Sequence, residues 1–375
     1  KLNLDDEVHK FVPYFPRKKY PVRIRQLLGH LGGISHYRNY DLEGHFKYPK
    51  NTRESIAVFE NFELIAEPGT RYQYSSYGFN LLGAVIEGAS GKSYGEYMTE
   101  NVWKPFGMKN TRLDNPLDII PNRVKGYQVI NGKVKHSEFV DISSRFAAGG
   151  LRSTVPDMLN FAKGLYEGKV LSEGSRNAMW SSQATKAGEY VGYGYGWGTS
   201  TGNGRFIVGH SGGQAETRTY LLVVPRKKFA AAVAINSESA FSANYARRLF
   251  EIVMEEPWQI RQYAKTKRER TILRGIDSAF DYGMRYYNQN ARPRAKDNGD
   301  LSAAFKYFND ALNSSSAEIG KKFSKGIHPA SKEASVKVVS HMADMLKREG
   351  KNLDTYYHGG ALPFFGDYIK WYRSQ

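Results

Sequence analysis

The sequence predicts an α+β body: an antiparallel sheet flanked by helices, a helical subdomain on one side, and a helical C-terminal appendage. Three observations predict it. Two apolar runs, Thr217 to Val224 and Phe229 to Asn236, flank Pro225-Arg226-Lys227-Lys228, and a proline with a charge cluster between such runs signals a hairpin. Between about Arg23 and Arg176, apolar residues recur at helical spacing behind capping residues. From Pro257 the character changes to a basic run followed by amphipathic helices.

Taken in order, Lys1-Leu2-Asn3-Leu4-Asp5-Asp6 reads as an exit from a helix into a loop. Phe11-Val12-Pro13-Tyr14-Phe15-Pro16 reads as extended, since each proline disfavours helix in the residue before it. A short helix is expected over Arg25 to His30, stopped by Gly32-Gly33, and a modest one over Glu54 to Phe62. Phe79, Leu82, Val85 and Ile86 mark a buried helix that Ser75 or Ser76 would cap, which puts Tyr74 just ahead of its N-terminus. Ser93 with Glu96, and Thr154 with Asp157, read as capping boxes for two more helices. Ala147 to Leu151 reads as a tight apolar turn, and Tyr193-Gly194-Tyr195-Gly196-Trp197-Gly198 as a strand. Phe206 to Val208 is a further strand running into a His210-Ser211-Gly212-Gly213 turn, and Ala240 to Glu255 closes the body as a helix. Residues 1–256 and 257–375 are therefore read as separate domains. In the second, Leu301 to Leu312 and Val336 to Leu346 are expected helices.

Composition narrows the chemistry. The chain has 375 residues, 41% hydrophobic and 24% charged, an ordinary globular balance that supports a sizeable core. There are no cysteines, which excludes disulfides, thiolate metal sites and a cysteine nucleophile. Tyrosine is abundant at 26 residues, and a buried tyrosine needs a partner for its hydroxyl, so polar clefts are expected. No apolar run reaches the length of a transmembrane span, and no signal peptide is visible. The net charge of +17 permits attraction to anionic polymers, but a charge run is usually a solvated face, and no nucleic-acid partner is expected. His9, His30, His36 and His45 lack the helix spacing of metal ligands, so neither a metal nor a cofactor is expected.

Taken alone, His210-Ser211-Gly212-Gly213 is either an ordinary glycine-rich turn or a place where glycine lets a ligand approach a strand and histidine offers it a hydrogen bond. Order decides between them. Leu27-Leu28-Gly29-His30-Leu31-Gly32-Gly33-Ile34 comes first, then Tyr74-Ser75-Ser76 with Gly78 to Gly83, then Gly149-Gly150-Leu151-Arg152-Ser153-Thr154 with Asp157, then His210-Ser211-Gly212-Gly213. That succession resembles the serine β-lactamase and penicillin-binding-protein superfamily, in the class C-type branch whose third motif is His-x-Gly. Leu4-Asp5-Asp6, Val12 to Pro16 and Ser35-His36-Tyr37 resemble the mitochondrial β-lactamase-like serine proteases and their bacterial relatives. The resemblance runs from Lys1 to about Glu255.

It implies acyl transfer by a serine hydrolase acting on a peptide, ester or other small molecule. Tyr74 would shuttle the proton between nucleophile and leaving group, with a pKa depressed by a nearby cation. His210 would hold Tyr74 or a substrate carboxylate. Gly213 would offer its N–H to the oxyanion, and Ser76, Ser211 and Gly212 would line the substrate. The bland alternatives are a core tyrosine at Tyr74 and a turn residue at His210. The second motif reads Tyr74-Ser75-Ser76 where many relatives carry Tyr-x-Asn. No serine in the chain has a lysine three residues on, so the nucleophilic Ser-x-x-Lys of the family is absent. The resemblance places it about one helix before Leu4-Asp5-Asp6. The chain is thus expected to be a piece of a serine hydrolase, inactive alone and prone to self-association. The alternative is a binding or scaffold protein that has lost its nucleophile. Localisation stays open, with a periplasmic or extracellular setting implied only if a signal peptide lies upstream.

Overall fold

The computed structural model describes residues 2–37, 48–115, 117–200, 205–258, 298–313, 329–351 and 361–374, with residues 272, 275, 276, 279, 280, 283, 284 and 353. The chain divides into two compact units. The first comprises Lys1–Thr199, Val208–Val223 and Ala230–Leu249; the second comprises Ser200–Ile207, Val224–Phe229 and Phe250–Gln375.

The described helices begin with α1 (Ile24–Leu28), α2 (Thr52–Ala57), α3 (Ser76–Ser90), α4 (Tyr94–Met98) and α5 (Lys104–Phe106). They continue with α6 (Val155–Tyr166), α7 (Glu173–Trp180) and α8 (Ser242–Met254). The short strands β1 (Arg112–Leu113) and β4 (Leu151–Arg152) pair with each other, and β2 (Tyr127–Ile130) pairs with β3 (Lys133–His136), both antiparallel. The main sheet runs in the order β5 (Gly198–Ser200), β6 (Ile207–Gln214), β7 (Thr217–Val224) and β8 (Phe229–Ile235).

The first unit is built around α3. Tyr77, Leu81, Ala84 and Val85 recur at helical spacing on one side and pack with Leu27, Ile56 and Phe59. Tyr77 stacks on Phe59 with centroids 4.4 Å apart. Ser75 caps the helix: its Oγ accepts from the Gly78 N–H at 2.9 Å and donates to the Ser35 carbonyl at 2.8 Å. The preceding N–H groups go to two histidines. Ser75 N donates to His30 Nδ1 at 3.1 Å and Ser76 N to His36 Nδ1 at 3.2 Å. Nδ1 is therefore unprotonated in both rings, and each neutral ring carries its proton on Nε2. One turn further along, buried Asn80 donates to the Ser144 carbonyl at 2.8 Å and accepts from Ala148 N at 3.2 Å. It clamps the 144–148 segment onto the helix.

Several expectations are corrected. His210-Ser211-Gly212-Gly213 is strand, not turn: these residues pair with Leu221, Tyr220, Thr219 and Arg218. The reversal falls at Ala215 and Glu216, with Glu216 at φ 72°. Glycine serves close approach here, since a Cβ on Gly212 would lie 2.2 Å from Thr219 Oγ1. Tyr193 to Gly198 is a tight turn rather than a strand, with a single bridge between Tyr193 and Gly198 and Gly196 at φ 80°. Phe11 to Pro16 forms turns rather than an extended run, with Val12 N bonded to the Val8 carbonyl and Phe15 N to that of Val12. Lys1 to Asp6 precedes a 3-10 turn over Val8–Lys10. The Arg23–Arg176 stretch carries helices α1 to α6 but also the strands β1 to β4, and less than half of its described residues are helical. Asn131 (φ 50°) and Gly132 (φ 74°) form the β2–β3 turn that an Asn-Gly pair favours. Asp157 does not complete a capping box; Thr154 caps α6 alone, and the Asp157 carboxylate takes Asn110 N at 2.7 Å and Thr111 Oγ1 at 2.9 Å.

The second unit holds its own core. The described helices α9 (Asn298–Asn313), α10 (Pro329–Arg348) and α11 (Ala361–Ser374) bury Ala304, Val338, Val339, Leu346, Phe364 and Tyr368 together with Phe280 and Met284. Helix α11 had no counterpart among the expected helices. Arg205 lies over the Phe250 ring at 4.6 Å, donates to the Pro257 and Trp258 carbonyls, and pairs with Glu256 at 3.5 Å. The basic run from Arg261 to Arg274 lies outside the described residues.

Burial, with lesser contributions from His210 and His36, holds the His30 ring down to about 3 from the ordinary 6.5. The unfolded chain therefore takes up a proton that the fold refuses. Stability is full above pH 6.5 and declines as pH falls from 6.5 toward 3, by on the order of 2 kcal/mol at pH 5 from this ring. In the His30→Asn variant the left-handed backbone (φ 55°) and an acceptor for Ser75 N are both retained, and nothing titrates. Urea unfolding at pH 7 and pH 5 should show a smaller acid loss in the variant than in the wild type. Separately, Asn80→Ala removes the donor to the Ser144 carbonyl and leaves Ala148 N with its bond to the Arg145 carbonyl alone, and its urea stability should fall by about 2 kcal/mol at any pH.

Candidate active site

Four separate stretches of the first unit converge on one cavity of about 180 Å³. Tyr74, Ser76 and Phe79 come from the start of α3, Ala148 from the segment that Asn80 clamps, Tyr193 and Gly196 from the tight turn, and His210 from β6. Each is set by local chemistry. Tyr74 stands immediately before the α3 cap. Gly196 N bonds the Leu28 carbonyl at 3.1 Å and Gln183 N bonds the Tyr193 carbonyl at 2.6 Å, which fixes the turn. Along β6, His210, Gly212 and Gln214 share one face, because successive strand residues alternate. Gln214 on that face accepts from Arg145 Nη1 at 2.8 Å and donates to the Gly149 carbonyl.

The cavity is aromatic. The Tyr74 ring lies 6.1 Å from His210, 4.2 Å from His30 and 5.5 Å from His36, centroid to centroid. Three imidazoles thus surround one phenol. The sequence-predicted residues Tyr74, Ser76 and His210 come together here. Ser211, Gly212 and Gly213 do not line the cavity; Ser211 and Gly213 lie on the opposite, exposed side of the strand, with Gly213 across from Arg218.

The partner of His210 is Tyr193, a residue with no predicted site role. Its hydroxyl lies 2.9 Å from His210 Nε2, while His210 Nδ1 lies 2.7 Å from the Ser211 carbonyl. Burial pushes His210 below the ordinary histidine range, opposed by its bond to the Ser211 carbonyl. Burial raises the Tyr193 phenol, and the neighbouring Tyr74 and Tyr72 raise it further. For Tyr74 the expected depression is absent: burial raises its phenol, and the hydrogen-bonded Ser76 side chain offsets part of that. Among the described residues no group of histidines and carboxylates is placed to hold a metal ion, and no helix is long and apolar enough to cross a membrane.

Tyr193 was visible in the sequence only as part of a glycine-aromatic run, whose alternation suggested a strand. His30 and His36 stood within the motifs of the resemblance and were weighed as metal ligands, but neither was given a site role. Their partners lie about forty positions away, and no local pattern reports such a bond.

The family model described as Beta-lactamase matches residues 1–253. The chain is similar to penicillin-binding protein 4* of Bacillus subtilis (strain 168), 25% identical over 299 residues that cover 74% of this chain and 65% of that protein. It is also similar to the mitochondrial serine beta-lactamase-like protein LACTB of Homo sapiens, 28% identical over 238 residues that cover 45% of this chain and 43% of the relative. The chain thus spans less than two thirds of the length of either curated relative. Among solved structures, the octameric penicillin-binding protein homologue from Pyrococcus abyssi matches with a TM-score of 0.59 at 26% identity, over 73% of this chain and 65% of that one. A D-stereospecific amidohydrolase from Streptomyces sp. shares the fold with a TM-score of 0.58 at 24% identity, over 67% and 78% of the two chains. A mixed helix-and-sheet body, motifs in the family's order and a profile covering most of the sequence lead to one conclusion: the chain belongs to the beta-lactamase family.

Proposed function

We propose that this chain carries the tyrosine–histidine side of a serine hydrolase site, which transfers the acyl group of a peptide or ester to water. The observation that carries this reading is the convergence of Tyr74, Ser76 and His210, remote in sequence, on one cavity. The nucleophile is a Ser-x-x-Lys serine on a segment outside this sequence. Its oxygen attacks the substrate carbonyl, the amine or alcohol leaves with a proton, and water then releases the acyl group. Tyr74 relays the proton. Burial alone keeps its phenol protonated, so a cation must join it for that role, and the lysine of Ser-x-x-Lys supplies one. The Gly213 N–H, with the N–H of the nucleophile, stabilises the oxyanion. Any hold of Ser211 and Gly212 on the substrate is through their backbone along β6, since the Ser211 side chain lies on the side away from the cavity. Self-association is part of the proposal, on the strength of the octameric relative. The 257–375 region is a separate domain in this reading, with a role the site does not define.

A fluorophosphonate or a labelled β-lactam, read by intact mass, tests the reading. The chain alone should take no adduct, and the chain extended by its upstream coding sequence should take one. A stoichiometric adduct on the chain alone would place the nucleophile within it. No adduct on the extended protein would favour the scaffold alternative. In the extended protein, Tyr74→Phe should slow acylation by about 10²–10⁴-fold, the range for a lost general acid–base group. Circular dichroism should be unchanged.

A further inference from the structure

The β2–β3 hairpin supplies no residue to the cavity, yet it is held firmly at its base. Tyr127 N donates to the Asn236 carbonyl, and the Tyr127 carbonyl accepts from Glu238 N, both at 2.9 Å. Asn236 Nδ2 donates to the Lys125 carbonyl at 3.1 Å. Gly126 lies so close to the β6–β7 turn that a Cβ there would sit 2.1 Å from Glu216 Cα. Beyond this base the ribbon stands bare, and only Gln128 is even half-buried. Its register pairs Val129 with Val134 and Ile130 with Lys133. Tyr127, Val129, Val134 and His136 therefore share one face, and Gln128, Ile130, Lys133 and Lys135 the other. Val129 is 48% exposed, Ile130 40% and Val134 69%. A two-stranded ribbon with no packed face is marginal in water, and these three side chains cluster at its outer end.

The charge on the ribbon has one sign. Lys133 and Lys135 lie on it and Lys125 at its base, and among the described residues none of the three has an ion-pair partner. No acidic residue occurs between Val124 and Ser137, and Glu138 follows just beyond β3. The acids at the base are engaged with backbone: Glu216 Oε1 takes Gly126 N at 3.5 Å, and Glu238 Oε1 takes Glu216 N at 3.2 Å. Branched apolar side chains interleaved with ammonium groups match a surface that is apolar within and anionic outside. The long lysine stems let the charges stay at headgroup level while the valines and Ile130 sit deeper. A folded protein would need a cleft to cover both faces of the ribbon, whereas a fluid interface closes around them.

We propose that the β2–β3 hairpin docks the protein on the surface of an anionic lipid bilayer, entering tip first with Val129, Ile130 and Val134 and held by Lys133 and Lys135. The protein lies on the bilayer by this ribbon and does not cross it. The docking is independent of what the cavity binds.

The test uses the chain as it stands. It has no cysteine, so Val134→Cys gives a single attachment point for a nitrobenzoxadiazole dye at the outer end of the ribbon. With phosphatidylcholine vesicles containing phosphatidylglycerol, at about 0.1 M salt, the dye emission should brighten and move to the blue as the tip leaves water. The unlabelled wild type should sediment with these vesicles at least tenfold more tightly than with phosphatidylcholine alone. Lys133→Glu with Lys135→Glu should weaken that binding by about twentyfold or more, about fivefold for each charge lost. Val129→Ser with Val134→Ser should weaken it by about tenfold. Circular dichroism should be unchanged in both, since the substituted side chains are exposed. Because the whole chain is cationic, sedimentation that survives both double substitutions would mean a diffuse attraction and overturns the proposal. So does an absence of vesicle binding, or binding with no blue shift. A shift on poly-glutamate but not on vesicles would give the ribbon to an acidic protein, and a shift that grows with protein concentration alone would give it to a second copy. Either result overturns the lipid assignment.

Discussion

The site depends on how the N-terminus of α3 is satisfied. The first N–H groups of a helix have no partner within it, and the helix dipole places partial positive charge there. In this protein the Ser75 and Ser76 N–H groups, at the cap and first position, meet two imidazole nitrogens. Only a neutral imidazole can accept, so the helix end and the ring charge states are set together. The same end orients Tyr74 and Ser76, and one turn later Asn80 fixes Ala148. Three walls of the cavity therefore follow from one capped helix end.

Much of this was legible beforehand. Ser75 followed by apolar residues at helical spacing marked α3, and the apolar runs around Pro225 marked β7 and β8. Tyr74 and His210 were picked out by motif order, and the cavity brings them together. What stayed hidden has a common cause. Glycine serves two unlike purposes, positive φ and close approach, and the residue name does not say which. In His210-Ser211-Gly212-Gly213 it serves close cross-strand approach, so the stretch is strand; in Tyr193 to Gly198 it serves positive φ at Gly196, so the stretch is turn. The two were expected the other way round. The Asn131-Gly132 hairpin was a readable signal that the helical reading of its surroundings passed over.

Tyr193 shows a second limit of sequence reading. Its importance to His210 comes from a bond across seventeen positions, between a turn and a strand whose relative placement is tertiary. Composition had suggested that the many tyrosines would need hydroxyl partners, and this is one such partner. Burial alone would make Tyr193 a core residue; its bond makes it part of the polar arrangement in the cavity.

The His30 ring has a further consequence. Its Nε2 is buried with no hydrogen-bond partner among the described residues, and the rings of Tyr72, Tyr74, Phe79 and Tyr193 stand around it. A proton on that nitrogen can trade with solvent only when the aromatic shell opens. Its exchange lifetime is therefore a clock for the breathing of the shell, set by the same rings that wall the cavity.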